Sequence, residues 1–241
     1  MPTTEELKKL SRQKIAENAP KLFFISTLYV VIVVVLGELR FRLPGTIGAW
    51  QQLPDLLATG EFFSLAMVLS KLRTGGLVLA VVIAMVTPVL TTGFMNYCLK
   101  INRNQETDYT DIFEGFTLLF KIVAISIITT IIVILWSLLF IIPGIVAAYK
   151  YRQVYYILLD APEKDVMQCI RESELLMYGN KMELFLLDIS FLGWIMLNSF
   201  IALISFVIFP VALPLISLFL TPYQGLARAA FYEKIVEEAV I

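Results

Sequence analysis

Three stretches without a charge limit what this chain can fold into. Residues 22–37 (LFFISTLYVVIVVVLG), 77–99 and 122–149 contain no Asp, Glu, Lys or Arg. An uncharged apolar run of about 18 residues or more is long enough to cross the roughly 30 Å hydrocarbon layer as a helix. A helix of a soluble core, by contrast, keeps a polar face for water. Composition points the same way: 59% of the 241 residues are hydrophobic and 16% charged, where soluble domains have about half and a quarter. Inside a bilayer every backbone N–H and C=O needs an internal partner, which helices supply within one segment. The predicted fold class is therefore all-α, a polytopic transmembrane helical bundle of about six spans, arranged as three hairpins with interfacial amphipathic helices.

The remaining composition excludes several function classes. The net charge of −1 leaves no basic excess for a nucleic-acid partner. There is no histidine, and Cys98 and Cys169 are the only cysteines, without a CxxC. Histidine-based metal sites and histidine-assisted nucleophiles are thus excluded, and no metal or cofactor is expected. GxSxG and HExxH motifs are absent, as is a pair of aspartates in facing spans, so the chain does not read as an enzyme. Both cysteines are expected as free thiols on the cytoplasmic side.

In chain order, residues 1–20 predict a cytoplasmic interfacial helix. In TEELKKLSRQKIAEN (4–18), Leu7, Leu10 and Ile15 share one face and Thr4 caps the start. The first span follows at about 21–39. It ends at Gly37-Glu38 without a small-x-small site, so it reads as a retained span and not as a signal peptide. Residues 40–75 form an outer connection whose apolar stretch EFFSLAMVLSKL (61–72) is too short to cross and reads as interfacial or re-entrant. The second span, 76–99, holds Pro88, whose missing hydrogen bond must be offset by neighbouring helices, Thr87 or Thr91.

After the polar stretch 100–116, a third span is predicted over 118–142. A tight turn follows at Pro143-Gly144, then a fourth span over 145–159, ended by Asp160-Ala161-Pro162. Residues 163–180 predict a cytoplasmic amphipathic helix, with Val166, Cys169, Ile170 and Leu176 opposite Glu163, Lys164, Arg171 and Glu174, and with Gly179 as its C-cap. Residues 184–220 carry one charge, Asp188. They are too long for one crossing, so fifth and sixth spans are divided near Ile208-Pro210-Pro214, the sixth reaching Tyr223 before the amphipathic extension GLARAAFYEKIVEEA. The whole chain, 1–241, reads as a single integral membrane domain.

Charge tests this topology. With six spans and both termini inside, all of the 19 lysines and arginines except Arg40, Arg42, Lys71 and Arg73 fall on the cytoplasmic side, which obeys the positive-inside bias. A weak internal repeat supports three hairpins: ENAPKLFF (17–24), EGFTLLFK (114–121) and YGNKMELF (178–185) each lead into apolar sequence.

Few residues carry candidate chemistry. Asp188, paired with Arg152 or Lys150, is either a proton or ion relay or a structural pair that fixes the packing of two spans, because an ionisable group within a span is costly unless paired or wetted. Gly179, Asn180 and Lys181 present backbone N–H groups and a cation to a lipid headgroup, or else form a helix cap and turn. Asn96, Asn198, Thr129 and Thr130 line a polar path or bond between helices. Tyr149, Tyr151, Tyr155, Tyr156, Trp136 and Trp194 stack a ligand or, more cheaply, form an aromatic belt at headgroup level.

Between about residues 85 and 232 the chain resembles a bacterial family of polytopic membrane proteins known as a domain of unknown function of type 975. The resemblance rests on LWSLLFIIPGI (135–145), YILLDAP (156–162), the run from Ser173 to Lys181, LFLLDISFLGW (184–194) and TPYQGLARAAFYE (221–233), in that order and spacing. It implies a multi-pass protein of the bacterial plasma membrane and no particular activity. The hairpin plan is also similar to the membrane domain fused to some glycerophosphodiester phosphodiesterases, whose catalytic barrel has no counterpart in these residues. Residues and resemblance together lead to a non-catalytic membrane scaffold, assembly or stress-related component of the cell membrane. Its expected partners are membrane lipids and a protein partner or a second copy of the chain. The alternative is a small transporter or channel-like protein using the intramembrane Asp/Arg pair.

Overall fold

A computed structural model describes residues 3–42, 74–208 and 214–240. All regular structure among them is helical. The helices are α1 (Thr4–Arg42), α2 (Thr74–Asn102), a 3-10 helix (Tyr109–Leu118), α3 (Leu119–Leu139), α4 (Ile141–Lys150), α5 (Val154–Asp160), α6 (Val166–Leu176), α7 (Lys181–Ile189), α8 (Leu192–Ile208) and α9 (Ser217–Val240). The chain divides into two compact units, Met1–Val30 with Pro88–Ile241, and Val31–Thr87. The second unit, where described, consists of the end of α1 and the start of α2. The interfacial or re-entrant stretch 61–72, most of the outer connection 40–75 and the Pro210 break lie outside the described residues.

Among the described residues three helices are long and apolar enough to cross a membrane: Thr4–Leu39, Val78–Asn102 and Tyr109–Leu139. Lys181–Ile189 and Leu192–Ser205, bent by 45° at their junction, make a fourth if they form one broken span. Large apolar side chains cover much of the exterior of α3 and the α3–α4 corner, with Phe120 87%, Leu138 78% and Ile141 77% exposed. Such a contiguous apolar exterior suits hydrocarbon and not water. The all-α bundle expected from the sequence is the observed architecture. The described helices account for three or four of the six expected spans.

The N-terminal segment differs from its prediction. Thr3, not Thr4, caps α1: its hydroxyl accepts from the Glu6 N–H at 3.3 Å, and the Glu6 carboxylate accepts from the Thr3 N–H at 3.1 Å. The helix then runs unbroken through Pro20. Leu7, Ser11, Lys14, Leu22 and Ile25 are all buried, and their spacing of three, four or eight residues makes one stripe along a single helix face. That continuous stripe outweighs the one hydrogen bond lost at proline. Its first turns pack into the bundle. Leu7 joins Phe231, Ile235, Met177 and Leu187 in one core cluster, while Lys8 donates to the Ser190 carbonyl at 3.2 Å and Arg12 to the Tyr223 hydroxyl at 3.2 Å.

The larger core cluster joins α1, α2, α3, α5, α6 and α9 through Leu22, Ile25, Tyr97, Ile122, Leu158 and Leu226. The 3-10 helix is pressed against α2 because both contact points are glycine. A Cβ on Gly93 would overlap the Ile112 carbonyl, and one on Gly115 would overlap the Val89 carbonyl. Around Pro88, Thr87 donates to the Ile83 carbonyl at 2.8 Å and Thr92 to the Pro88 carbonyl at 2.8 Å. Thr91 instead bonds with the Tyr29 hydroxyl at 3.1 Å.

The turn between the expected third and fourth spans also moves. It falls at Phe140, whose backbone is extended (φ −158°, ψ 151°), and Pro143 and Gly144 lie inside the first turn of α4. Proline is tolerated in a first helical turn because the N–H groups there lack intrahelical acceptors. Gly144 sits against Ser137 of α3, where any Cβ would collide, so it lets the two helices fold back on each other. The expected fourth span is then interrupted at residues 151–153, between α4 and α5.

Polar segments tie the helix ends together. Arg103 holds both oxygens of Asp160, at 2.7 and 2.9 Å, and Glu233 at 3.1 Å, while the Tyr232 hydroxyl donates to Asp160 at 2.8 Å. These carboxylates raise the Arg103 pKa, whereas burial pushes that of Glu233 above the ordinary carboxylate value. Lys100 pairs with Asp111 and Glu114 at 3.1 and 2.7 Å, and Lys121 donates to the carbonyls of Pro162 and Lys164 at 2.6 and 2.9 Å.

Candidate functional site

The interruption between α4 and α5 positions the candidate site. Lys150 ends α4, and its carbonyl accepts from the buried Ser173 hydroxyl at 2.9 Å. Gln153 caps α5, so Tyr151, Arg152 and Gln153 fall at a break in the helical ladder, facing α2, α3 and α9. These elements enclose a cavity of about 560 Å³, within the range of ordinary ligand pockets. Its walls are mixed. Phe94, Met95, Val133 and Ile134 are apolar, Thr91, Thr129, Thr130 and Thr221 carry hydroxyls, and Tyr29, Tyr151, Tyr155 and Tyr156 add aromatic faces. Its polar floor is Arg152, Gln153, Gln224 and Arg228.

Asp188 is indeed ion-paired, but with Arg228 and not with Arg152 or Lys150. Arg228 donates to one Asp188 oxygen through Nε at 3.1 Å and a terminal nitrogen at 2.9 Å, and the Tyr149 hydroxyl donates to the other at 3.1 Å. The pair is partly enclosed, with the Arg228 and Asp188 side chains 29% and 17% exposed. The expected partners are placed elsewhere. Lys150 pairs with Glu174 at 2.5 Å. Arg152 lines the cavity and makes no side-chain hydrogen bond or ion pair with any described residue. It is exposed where it borders the cavity. The physical reason for the changed pairing is packing: Leu184 and Leu187 of α7 share a core cluster with Ala227, Ala230 and Phe231 of α9, while Arg152 follows the end of α4 and borders the cavity.

The other sequence candidates resolve as follows. Gly179 takes the left-handed conformation (φ 88°) in the turn between α6 and α7, and Asn180 donates to the Leu176 carbonyl at 2.9 Å. Lys181 lies 6.0 Å from the centre of the Tyr178 ring. This is cap and turn geometry. Asn96 bonds to Glu114, and Asn198 accepts from the Ser217 N–H at 3.0 Å, so both bind protein, while Thr129 and Thr130 line the cavity. The aromatic belt is corrected for the tyrosines. Tyr156 is buried and stacks on Tyr232 at 4.9 Å, Tyr149 holds Asp188, and Tyr151 and Tyr155 face the cavity. The Tyr149 hydroxyl thereby finds in the protein the partner that headgroup water would otherwise supply. Trp136 and Trp194 are exposed as a belt requires. Both cysteines are buried free thiols.

Sequence reasoning missed Arg228, Gln153 and Gln224. For Arg228 there was a signal: in GLARAAF (225–231) it is the one charge among small and apolar residues, the setting in which a cation is held by a facing helix. Gln153 is 1% exposed and its Oε1 has no hydrogen-bond partner; the Gln224 Nε2 is likewise buried and unpartnered.

A search of curated proteins and a search of solved structures each found no match. Residues 140–239, which hold α4 to α9, the Asp188–Arg228 pair and Arg152, Gln153 and Gln224 of the cavity, match the model of the family described as "Protein of unknown function (DUF975)".

Proposed function

We propose that the protein is a non-catalytic, multi-pass component of the cell membrane, with both termini cytoplasmic, that acts by holding a membrane amphiphile and presenting it to a partner or a second copy. The observation that carries this reading is the cavity: one chamber lined by apolar side chains of α2 and α3 (Phe94, Met95, Val133, Ile134) and by polar ones from the break at 151–153 and α9 (Arg152, Gln153, Gln224, Arg228) suits a molecule with a tail and a head. The scaffold, assembly or stress-related role expected from the sequence is the cellular form this reading takes. To test it, the full chain is purified in mild detergent from its native membrane and bound lipid is counted by native mass spectrometry. Wild type is expected to retain lipid. Thr130→Trp, which places an indole at an exposed position of the lining, is expected to retain several-fold less. Equal retention by both, or none by either, defeats the reading.

The transport reading keeps one specific observation in its favour, the interrupted helix beside the Asp188–Arg228–Tyr149 group. Broken helices next to buried charge are how many transporters build a midplane site. Ion and proton flux in proteoliposomes decides it. Flux in wild type that a folded Asp188→Asn variant lacks establishes transport, and no flux in either across several gradients removes it.

A further inference from the structure

The polar floor of the cavity is incomplete as it stands. Two guanidinium groups line it and no carboxylate does. Asp188 neutralises Arg228 from behind, which leaves Arg152 as an excess single positive charge without a bonded partner. Gln153 and Gln224 line the same cavity, and the Gln153 Oε1, an acceptor, and the Gln224 Nε2, a donor, are buried without a hydrogen-bond partner among the described residues. Each such group is costly where nothing bonds it. A lone cation, a lone acceptor and a lone donor on residues that line one cavity describe the complement of a ligand.

We propose that Arg152, Gln153 and Gln224 form a receptor for an anionic phosphate ester that also carries a hydroxyl. The guanidinium fork binds the phosphate oxygens, the geometry in which arginine is strongest. The Gln224 amide N–H donates to a further ester or phosphoryl oxygen, and the Gln153 Oε1 accepts from the hydroxyl. One ligand charge balances the one excess cation, so a zwitterionic choline phosphate, which brings its own cation and no hydroxyl, is disfavoured. This deepens the proposed function and rests on the same cavity. The chemistry has two sources, the headgroup of a glycerol-bearing acidic phospholipid or a soluble glycerol phosphate, and the experiment separates them.

The full-length protein in neutral detergent is titrated with phosphatidylglycerol, phosphatidylcholine or glycerol 3-phosphate, and thermal unfolding is followed, since a ligand of the folded state raises Tm. Phosphatidylglycerol is expected to raise the wild-type Tm, with phosphatidylcholine giving a clearly smaller rise. In Arg152→Gln the apparent affinity for phosphatidylglycerol is expected to fall about 10- to 100-fold, with the unliganded Tm kept because the Arg152 side chain bonds no described residue. Gln153→Leu keeps both charges and serves as the second variant if the first does not fold. Its affinity is expected to fall severalfold while its unliganded Tm holds or rises. Stabilisation by glycerol 3-phosphate alone, lost in Arg152→Gln, upholds the receptor while defeating the amphiphile reading. Equal stabilisation by both lipids in wild type and variants upholds the amphiphile and overturns the receptor. No stabilisation by any of the three overturns both.

Discussion

Asp188 and Arg228 are each enclosed enough that neither charge can be deleted alone without stranding the other. Arg228→Leu is expected to cost about 2–4 kcal/mol of stability, and the double variant Asp188→Leu/Arg228→Leu to recover most of that loss. Equilibrium unfolding of the two single variants and the double variant measures the coupling, and strictly additive losses would show that the pair is not a unit. Tyr149→Phe removes one bond to the same carboxylate and is expected to cost about 1 kcal/mol. Asp188 was legible because it is the one charge between residues 184 and 220. Its partner was not, since 40 residues separate the two and only helix packing brings α9 beside α7. A second residue-scale expectation concerns Glu233. Burial raises its pKa above 4.5 although Arg103 opposes the shift, so the folded protein keeps a proton that the unfolded chain has already released. Stability is therefore expected to decline as pH rises from 4.5 through the raised value. Glu233→Gln should flatten that decline in a series of Tm values from about pH 4 to pH 8.

At the scale of elements, close approach and turn geometry are carried by glycines of two different kinds. Gly115→Val would drive a branched side chain into the Val89 carbonyl and is expected to cost about 2–3 kcal/mol by forcing the 3-10 helix off α2. At Gly179 nothing lies within 4 Å of a built Cβ, and only the backbone, at φ +88°, resists substitution. Gly179→Ala is thus expected to cost about 1 kcal/mol, and Gly179→Asn less, because asparagine tolerates the left-handed region. Thermal unfolding of the three variants checks the order. Gly179 was legible as a helix end because glycine after an amphipathic stretch is a local signal. The turn at Phe140 was not, because Pro-Gly is read locally as a turn, whereas here proline fits the first turn of α4 and Gly144 is needed for contact with Ser137. The break at residues 151–153 was likewise not legible, because Lys150 and Arg152 read as charges within one continuing span.

For the whole molecule, the proposed orientation makes both termini cytoplasmic. A fluorescent protein that folds only in the cytoplasm should glow when fused to either end, and alkaline phosphatase fused at residue 240 should be inactive. Activity of that phosphatase fusion would mean an odd number of crossings and would break the six-span topology. The sequence alone determined the helical class and the apolar exterior, because the need to bond every backbone group in hydrocarbon and the length of uncharged runs are properties of the chain itself. It also marked Asp188 as exceptional. Tertiary structure decided which cation faces that aspartate, that α1 and α9 are continuous helices packed in the core, and that the tyrosines after α4 line a cavity with Arg152. Those outcomes depend on how helices distant in sequence meet side by side, and hydropathy along the chain carries no information about which face meets which.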